Sequence, residues 1–175
     1  MSKVRLYLVR HGKTMFNTIG RAQGWSDTPL TAEGELGIHE LGIGLRESGL
    51  QFDRAYSSDS GRTIQTMGII LEELGLQGKI PYRMDKRIRE WCFGSFDGAY
   101  DGDLFMGLIP RIFNVDHVHQ LSYAELAEGL VEVDTAGWAE GWEKLSGRIK
   151  EGFEAIAKEM EEQGGGNALV VSHGM

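Results

Sequence analysis

The feature that most constrains the fold of this chain is the alternation of short strand-like runs with longer stretches of helical periodicity. Val4–Val9 and Ala168–Ser172 are short and apolar, which is typical of buried strands. Arg54–Ser58 and Ile80–Ile88 are predicted as further extended segments. Strands that alternate with helices imply a mostly parallel sheet. The sequence therefore predicts an α/β three-layer sandwich, with helices on both faces of the central sheet.

The helical stretches have recognisable ends. Thr31 is predicted to cap one helix, and a second helix is predicted from about Ser60 to Gly75, where glycine suits the residue after the last turn. A long amphipathic helix is predicted from Trp142 to Met160, and Gly164–Gly166 should end it. These helices are expected to cover the sheet.

Residues 94 to 137 differ from the rest of the chain, because glycines are spread among aromatic and acidic residues. This segment is predicted to be a cap insertion that covers a site. It should contain one short helix, which a capping box opens at Ser122 and Glu125. The chain is otherwise expected to form a single domain over residues 1–175.

Charge and cysteine content exclude several classes of protein. The formal net charge is −8 and the pI is near 5.1, which argues against a nucleic-acid partner and against an anionic membrane surface. The single cysteine, Cys92, cannot form an internal disulfide. Val4–Val9 is too short for a membrane span or a signal peptide. These observations predict a cytoplasmic protein.

The stretch from Arg10 to Thr14 ends in Gly-Lys-Thr, as nucleotide-binding loops do. Such a loop needs a glycine five residues before Gly12, but Tyr7 occupies that place. We therefore reject a nucleotide-binding loop.

Residues suited to phosphate follow three of the predicted strands. Arg10 and His11 follow the first, Arg62 follows the second, and His173 follows the last. Ligands collect at the carboxyl ends of parallel strands. Arg62 should also lie in the first turn of its helix, where free N–H groups and the helix dipole favour an anion. A single histidine at a strand end is more often a turn residue, so the two histidines alone leave catalysis and turn formation as alternatives.

Five motifs of the chain occur in an order that is informative as a set. They are Arg10-His11-Gly12-x-Thr14-x-x-Asn17, Gln23-Gly24-x-x-Asp27-x-Pro29-Leu30-Thr31-x-x-Gly34, Ser57-Ser58-Asp59-x-x-Arg62-x-x-Gln65-Thr66, Arg89-Glu90-x-x-x-Gly94 and Ser172-His173-Gly174. Together they resemble the motifs of the histidine phosphatase superfamily, in its phosphoglycerate-mutase-like branch.

The resemblance implies a metal-independent phosphatase that acts on a small phosphorylated metabolite without a cofactor. His11 would form a phosphohistidine and Glu90 would serve as acid and base. The resemblance further implies that Arg10, Asn17, Arg62 and His173 bind the phosphate, with His173 counted among the catalytic residues, and that Gln23 and Gly24 bind substrate.

Other readings of the sequence remain open. A phosphoglycerate mutase should carry basic residues in the cap, yet Arg111 is the only arginine or lysine between Phe93 and Ala136. A non-catalytic phospholigand-binding protein would have no need of Glu90. Asp116 with His119 suggests a metal, but two ligands do not make a site.

The chain ends two residues after His173, at Met175. Members of the family that it resembles continue there with a helix, so a C-terminal helix is expected to be missing. The oligomeric state is not predicted.

Overall fold

A computed structural model describes residues 3–174. Its strands and helices, in chain order, are β1 (Val4–Arg10), α1 (Met15–Ile19), α2 (Ala32–Glu47), β2 (Arg54–Ser57), α3 (Gly61–Glu73), β3 (Tyr82–Met84), α4 (Ile109–Phe113), α5 (Tyr123–Val133), α6 (Trp142–Glu162) and β4 (Gly166–Ser172). The shorter helical segments are the 3₁₀ turns Lys86–Ile88, Gly94–Phe96 and Val118–Gln120 and the π-helix Gly102–Leu108.

The four strands form one parallel sheet in the order β1-β4-β2-β3. The last strand in sequence, β4, thus lies between the first two. Arg10 of β1 lies beside Ser172 of β4, and Ser57 of β2 lies beside Val171. The residues that follow these three strands therefore meet at one edge of the sheet.

Helices cover both faces of this sheet. Successive side chains of β4 point to opposite faces, and each set packs against a different helix. Leu169 and Val171 pack in one buried cluster with Ile70 of α3. Val170 packs in another with Ile156 of α6 on the opposite face. The predicted α/β sandwich with a parallel sheet is confirmed.

The predicted helix ends are also confirmed. Thr31 accepts a hydrogen bond from the Gly34 N–H at 3.0 Å. Gly75 follows α3 with a φ of +64°, which glycine adopts without steric cost. Ser122 and Glu125 form the predicted capping box of α5.

The extended segment predicted to reach Ile88 is wrong over its last part. The strand β3 ends at Met84, and Lys86–Ile88 forms a 3₁₀ turn. Asp85 causes the change, because its carboxylate accepts the Arg87 N–H at 2.9 Å and thereby closes the turn.

The segment from 94 to 137 contains more helix than the single one predicted. The π-helix and α4 precede α5, and Leu104 and Ile109 are only 2% and 1% exposed in a cluster that includes Trp91 and Leu126. Burial of these apolar side chains outweighs the helix-destabilising effect of the glycines in this segment.

Two sequence expectations are not tested by this fold. The extent of the domain over residues 1–175 stays a prediction. The chain end at Met175 lies outside the described residues.

Among the helices of residues 3–174, none combines the length and the apolar character that crossing a membrane requires.

Candidate active site

His11 and His173 lie at the carboxyl ends of the neighbouring strands β1 and β4. The backbone N–H of His11 donates to the Ser172 carbonyl at 3.1 Å, which continues the strand pairing by one residue. The ring centroids of the two histidines are 5.4 Å apart, with an interplanar angle of 63°. The parallel pairing of β1 and β4 thus brings together two residues that are far apart in sequence.

The His11 ring is held neutral with one nitrogen free. Its Nδ1 lies 2.8 Å from the Gly12 carbonyl, so Nδ1 carries the hydrogen and donates it. Nε2 then has a lone pair and no hydrogen-bond partner among residues 3–174. Burial, helped by the nearby charges of Arg62 and Arg10, lowers the pKa of His11 to about 4. At neutral pH this ring can act as a nucleophile.

Gly12 allows the backbone after His11 to lie against α2. A Cβ on Gly12 would be 2.8 Å from Cγ1 of Ile38 and 2.9 Å from the Gly34 carbonyl oxygen. Such contacts are too close, so a larger residue would push the turn, and the His11 ring with it, away from α2.

Arg62 is fully buried and is held by the loop of residues 23–27. Its guanidinium donates to the Gly24 carbonyl at 2.8 Å, to the Ser26 carbonyl at 3.0 Å and to Asp27 at 2.8 Å. It also donates to Nδ1 of His173 at 3.0 Å. The Nε of Arg62 is buried and has no partner within residues 3–174.

The anion at the start of α3 comes from the chain itself. The sequence predicted that this helix end would favour an anion, and the Asp27 carboxylate takes that place, 3.4 Å from the Arg62 N–H. A Cβ on Gly61 would be 2.5 Å from the same carboxylate. Asp27 therefore occupies the start of α3, and a phosphate bound at this helix end would have to displace its carboxylate.

His173 is neutral with both ring nitrogens engaged. Because Nδ1 accepts from Arg62, Nε2 carries the hydrogen and donates to the Ser58 hydroxyl at 2.8 Å. Burial, followed by the charge of Arg62, lowers the pKa of His173 to about 2. A bond from His173 to phosphate therefore requires one of these two bonds to exchange. That role stays a prediction.

Glu90 supplies a carboxyl group that retains its proton more readily than usual. Burial raises its pKa, although the charges of Arg62 and Arg10 and the Trp91 N–H oppose the change. The Trp91 N–H donates to the Glu90 carboxyl at 2.9 Å and orients it. A carboxyl group with a raised pKa is better suited than an ordinary glutamate to donate a proton and take one back.

One cavity of about 340 Å³ joins most of the predicted residues. Its lining comprises Arg10, His11, Asn17, Arg21, Ala22, Gln23, Glu90, Phe93, Asp101, Phe105 and Gly174. Arg62 and Gly24 are not in this lining, and His173 borders the adjacent cavity together with Arg10 and Glu90. A Cβ on Gly174 would be 2.6 Å from Cδ of Arg10, so glycine makes room for the arginine stem.

Asn17, Gln23 and Gly24 make hydrogen bonds within the protein. The Asn17 carbonyl accepts the Thr14 N–H at 3.1 Å, which leaves its amide N–H groups for a ligand. The Gln23 side chain bonds to Thr14 at 2.6 Å and to Thr28 at 3.1 Å. The N–H of Gly24 donates to Asp97 at 2.8 Å. Gln23 and Gly24 thus brace the loop around Arg62, and their predicted contact with substrate is untested.

Three residues of the site were missed or undervalued by the sequence reading. Asp97 accepts hydrogen bonds from both sides of the site, from the Gly24 N–H at 2.8 Å and from the Phe93 N–H at 3.1 Å. Glu140 and Arg148 form a buried ion pair at 2.6 Å behind Glu90. No local pattern marks either feature, because Asp97 also binds the N–H of Gly24, 73 residues away, and Arg148 binds carbonyls 58 to 61 residues away.

The described part of the chain lacks a cluster of metal ligands. Within residues 3–174, no three His, Cys, Asp or Glu side chains lie close enough together to hold an ion. Asp116 and His119, the pair considered above, belong to no such group.

Comparison with known proteins was made against a family model, curated sequences and solved structures. The family model "Histidine phosphatase superfamily (branch 1)" matches residues 6–175. The chain is 32% identical over 174 residues to "Probable phosphoglycerate mutase GpmB" of Salmonella choleraesuis, covering 98% of this chain and 70% of that protein. It is 34% identical over 94 residues to a 2,3-bisphosphoglycerate-dependent phosphoglycerate mutase 2 of Bacteroides thetaiotaomicron, covering 54% of this chain and 38% of that protein.

Two solved structures share the fold. A phosphoglycerate mutase from Bacillus anthracis is 38% identical with a TM-score of 0.90, and the match covers 99% of this chain and 76% of that one. A "putative alpha-ribazole-5'-P phosphatase" from Escherichia coli is 26% identical with a TM-score of 0.72, covering 98% and 74%. The family match over nearly the whole chain and the sheet that unites its motifs lead to one conclusion: the chain belongs to the histidine phosphatase superfamily, branch 1.

Proposed function

We propose that this chain is a phosphatase that hydrolyses a small phosphomonoester through a phosphohistidine on His11, in a scheme that needs no metal. One observation carries the proposal. A neutral histidine with a free Nε2 shares a cavity with Glu90, a carboxyl group whose pKa is raised. A nucleophile and a proton donor are the two groups that ester cleavage needs.

In the first step, Nε2 of His11 attacks phosphorus. An N–P bond forms as the ester P–O bond breaks, and the Glu90 carboxyl gives its proton to the leaving oxygen. The alcohol departs and the phosphoryl group stays on His11. The Gly12 carbonyl holds the Nδ1 hydrogen throughout and stabilises the positive ring that attack creates.

In the second step, water attacks the phosphohistidine. The Glu90 carboxylate takes a proton from the water, a new P–O bond forms and the N–P bond breaks. Phosphate leaves, and His11 and protonated Glu90 are restored. Arg10 faces the transferring group in the cavity, and its positive charge, with that of Arg62, stabilises the negative phosphoryl oxygens. His173 adds a hydrogen bond to them once one of its bonds to Arg62 and Ser58 has exchanged.

The proposed substrate is a small phosphorylated metabolite, since the cavity has a volume of about 340 Å³. The acidic composition favours neither a nucleic acid nor a membrane as a partner, and we place the reaction in the cytoplasm as part of the same proposal.

Rapid quenching of the chain with ³²P-labelled ester should trap an acid-labile phosphoenzyme. The His11→Ala variant should lose both the label and turnover. His39→Ala is the matched control, because His39 lies on α2, bonds to Glu73 of α3 and does not line the cavity. Full turnover by His11→Ala would disprove the covalent mechanism.

Phosphoglycerate mutase activity is a second candidate. Two observations support it. Relatives in Salmonella, Bacteroides and Bacillus are named phosphoglycerate mutases, and Arg21 is a cation of the cavity lining that is not among the proposed phosphate ligands. Against it, Arg21 already donates to the Gly98 carbonyl and stacks on Tyr100 at 4.0 Å. Incubation with 3-phosphoglycerate separates the two, since a mutase forms 2-phosphoglycerate and a phosphatase releases phosphate.

A phospholigand-binding protein without catalysis is the third reading. It gives no reason for a carboxyl group with a raised pKa beside the nucleophile. The labelling experiment also decides this case, because a binding protein yields no phosphoenzyme.

A further inference from the structure

The backbone that presents Glu90 is held by one guanidinium from α6. Arg148 donates to the carbonyls of Arg87 at 3.0 Å, Arg89 at 2.8 Å and Glu90 at 2.7 Å. Three carbonyls of one four-residue segment thus converge on a single rigid, fork-shaped side chain. The segment begins inside the 3₁₀ turn Lys86–Ile88, continues toward the cap and is not part of any strand of the sheet.

Glu140 fixes the other side of the same guanidinium. Its carboxylate accepts from Nε of Arg148 at 2.7 Å and from an Nη at 2.6 Å, which is a bidentate arrangement. Glu140 is fully buried and also bonds to the residues that follow Glu90. It accepts from the Cys92 N–H at 3.2 Å, and its carbonyl accepts from the Trp91 indole at 2.8 Å.

We infer that the Arg148–Glu140 pair is a positioning device for the proton donor of the reaction. The pair touches the backbone on both sides of Glu90 and leaves the Glu90 side chain facing the cavity. This inference rests on the proposed function, because it assigns to Glu90 the proton transfer described above.

Positioning has a consequence that simple stabilisation lacks. Proton transfer requires the donor within hydrogen-bond distance of the leaving oxygen, so a small shift of the Glu90 backbone impairs that transfer first. Attack by His11 on phosphorus depends on β1 and β4, which Arg148 does not contact through the bonds above. Loss of the guanidinium fork should therefore slow the cleavage of esters whose leaving oxygen must be protonated more than the cleavage of esters with acidic leaving groups.

The test uses Arg148→Lys, which keeps the charge but not the three-carbonyl fork. The comparison uses kcat/KM, which reports the first step, because the second step needs Glu90 whatever the ester. We expect kcat/KM on glycerol 2-phosphate to fall about 10-fold or more, and kcat/KM on 4-nitrophenyl phosphate to fall less than about 3-fold. In a Glu90→Gln background the same change should cost nothing further on glycerol 2-phosphate, because no proton is left to position.

The matched control is Glu159→Gln, which removes an ion pair between α6 and the sheet strand residue Arg83, 2.8 Å apart, and does not touch the Glu90 segment. It should leave the ratio of the two activities unchanged. Equal losses of Arg148→Lys on both substrates, or losses additive with Glu90→Gln, would overturn the inference. Glu140→Gln is the second variant, and it should shift the ratio in the same direction.

A readout without turnover separates this inference from the proposed function. Carbon-13 NMR of the labelled carboxyl of Glu90 should show a pKa that moves down toward the ordinary value in Arg148→Lys, as the loosened segment admits water. Arg10 and Arg62 face the same carboxyl and are unchanged in both proteins. An unchanged pKa contradicts the positioning role even if the chain cleaves neither ester. If the parent chain cleaves neither ester while the pKa does move, the proposed function fails and the positioning of Glu90 stands.

Discussion

At the scale of single residues, the two histidines of the site are neutral for a shared reason and are engaged differently. Burial is the largest influence on both pKa values. The Nε2 of His11 is free, whereas both ring nitrogens of His173 are hydrogen-bonded, Nδ1 to Arg62 and Nε2 to Ser58. One ring is therefore ready to react with a ligand, and the other orients a buried cation.

Neutral buried histidines make the stability of the chain depend on pH. Both native pKa values lie below the ordinary 6.5, so as the pH falls from 6.5 to 4 the unfolded chain takes up protons that the native chain does not. The free energy of unfolding should therefore fall on acidification, by about 1 kcal/mol per pH unit for each histidine.

Urea unfolding between pH 4 and pH 7 measures this slope. His11→Gln should have a shallower slope than the parent, and His119→Gln, at an exposed position of the cap, is the control that should keep the parental one. A slope that is the same in all three proteins would show that His11 is not held neutral by the fold.

Replacing Glu90 by glutamine should slow the cleavage of alkyl phosphates by about 10²–10⁴-fold, because an amide cannot supply the proton. Esters with acidic leaving groups should lose much less in the first step. Glutamine keeps an oxygen for the Trp91 N–H, so the local geometry should persist. The measurement is kcat/KM, which reports the first step, on a series of esters, and the exposed Glu154→Gln is the control. Uniform losses across the series would remove Glu90 from the role of acid.

The identity of the converging residues could be predicted from sequence, since each follows a strand and the ends of parallel strands meet. How they bond to one another could not. Asp27 occupies the start of α3, and His173 accepts from Arg62, because both contacts depend on loop geometry that no local pattern encodes.

At the scale of elements, Asp97 joins the loop that holds Arg62 to the segment after Glu90. Its carboxylate accepts from the N–H groups of Gly24 at 2.8 Å, Ser26 at 3.0 Å and Phe93 at 3.1 Å. One side chain thus sets the distance between the proposed phosphate ligand and the proposed proton donor.

Asp97→Asn should weaken both stability and phosphate affinity. An amide replaces one accepting oxygen by a donor, which should lower the free energy of unfolding by about 2 kcal/mol. Phosphate affinity should fall because the carbonyls that orient Arg62 lie in the same loop. Calorimetric titration with phosphate and urea unfolding measure the two effects, and the exposed Asp103→Asn serves as control. Parental values for both quantities would rule out this bracing role.

Strands and helices were predictable where burial is periodic, as in β4 and α6. Prediction failed where tertiary packing overrode composition, as in the π-helix around Leu104, or where one side chain closed a turn, as at Asp85. The Arg148–Glu140 pair was not predictable either, because the carbonyls that it holds lie about sixty residues earlier.

At the scale of the whole molecule, three buried clusters meet around the site. Two lie on opposite faces of the sheet and the third lies in the cap. A ligand in the cavity contacts the end of β1 and the cap together, so binding should stabilise both parts at once.

Phosphate should therefore raise the melting temperature of the chain. At a concentration 100 times the Kd, mass action contributes about 2.7 kcal/mol, which corresponds to a rise of about 5–10 °C for a domain of this size. Arg10→Met should remove most of the rise, whereas Arg46→Met, which breaks an ion pair between α2 and Glu73 of α3, should not. Thermal melts over a series of phosphate concentrations measure the effect. An equal rise in melting temperature in all three proteins would show that phosphate binds outside this cavity.

The central place of β4 in the sheet has a consequence for synthesis on the ribosome. The strands β1 and β2 both pair with β4 and not with each other, so β1 has no sheet partner among the described strands until residues 166–172 have emerged. A nascent chain that stops short of them carries His11 on an unpaired strand, with its apolar residues exposed to other chains. Because the decisive pairing joins residues about 160 apart, it is also entropically the slowest to form. Competence for the proposed reaction should therefore arise in one late step, when β4 inserts between β1 and β2.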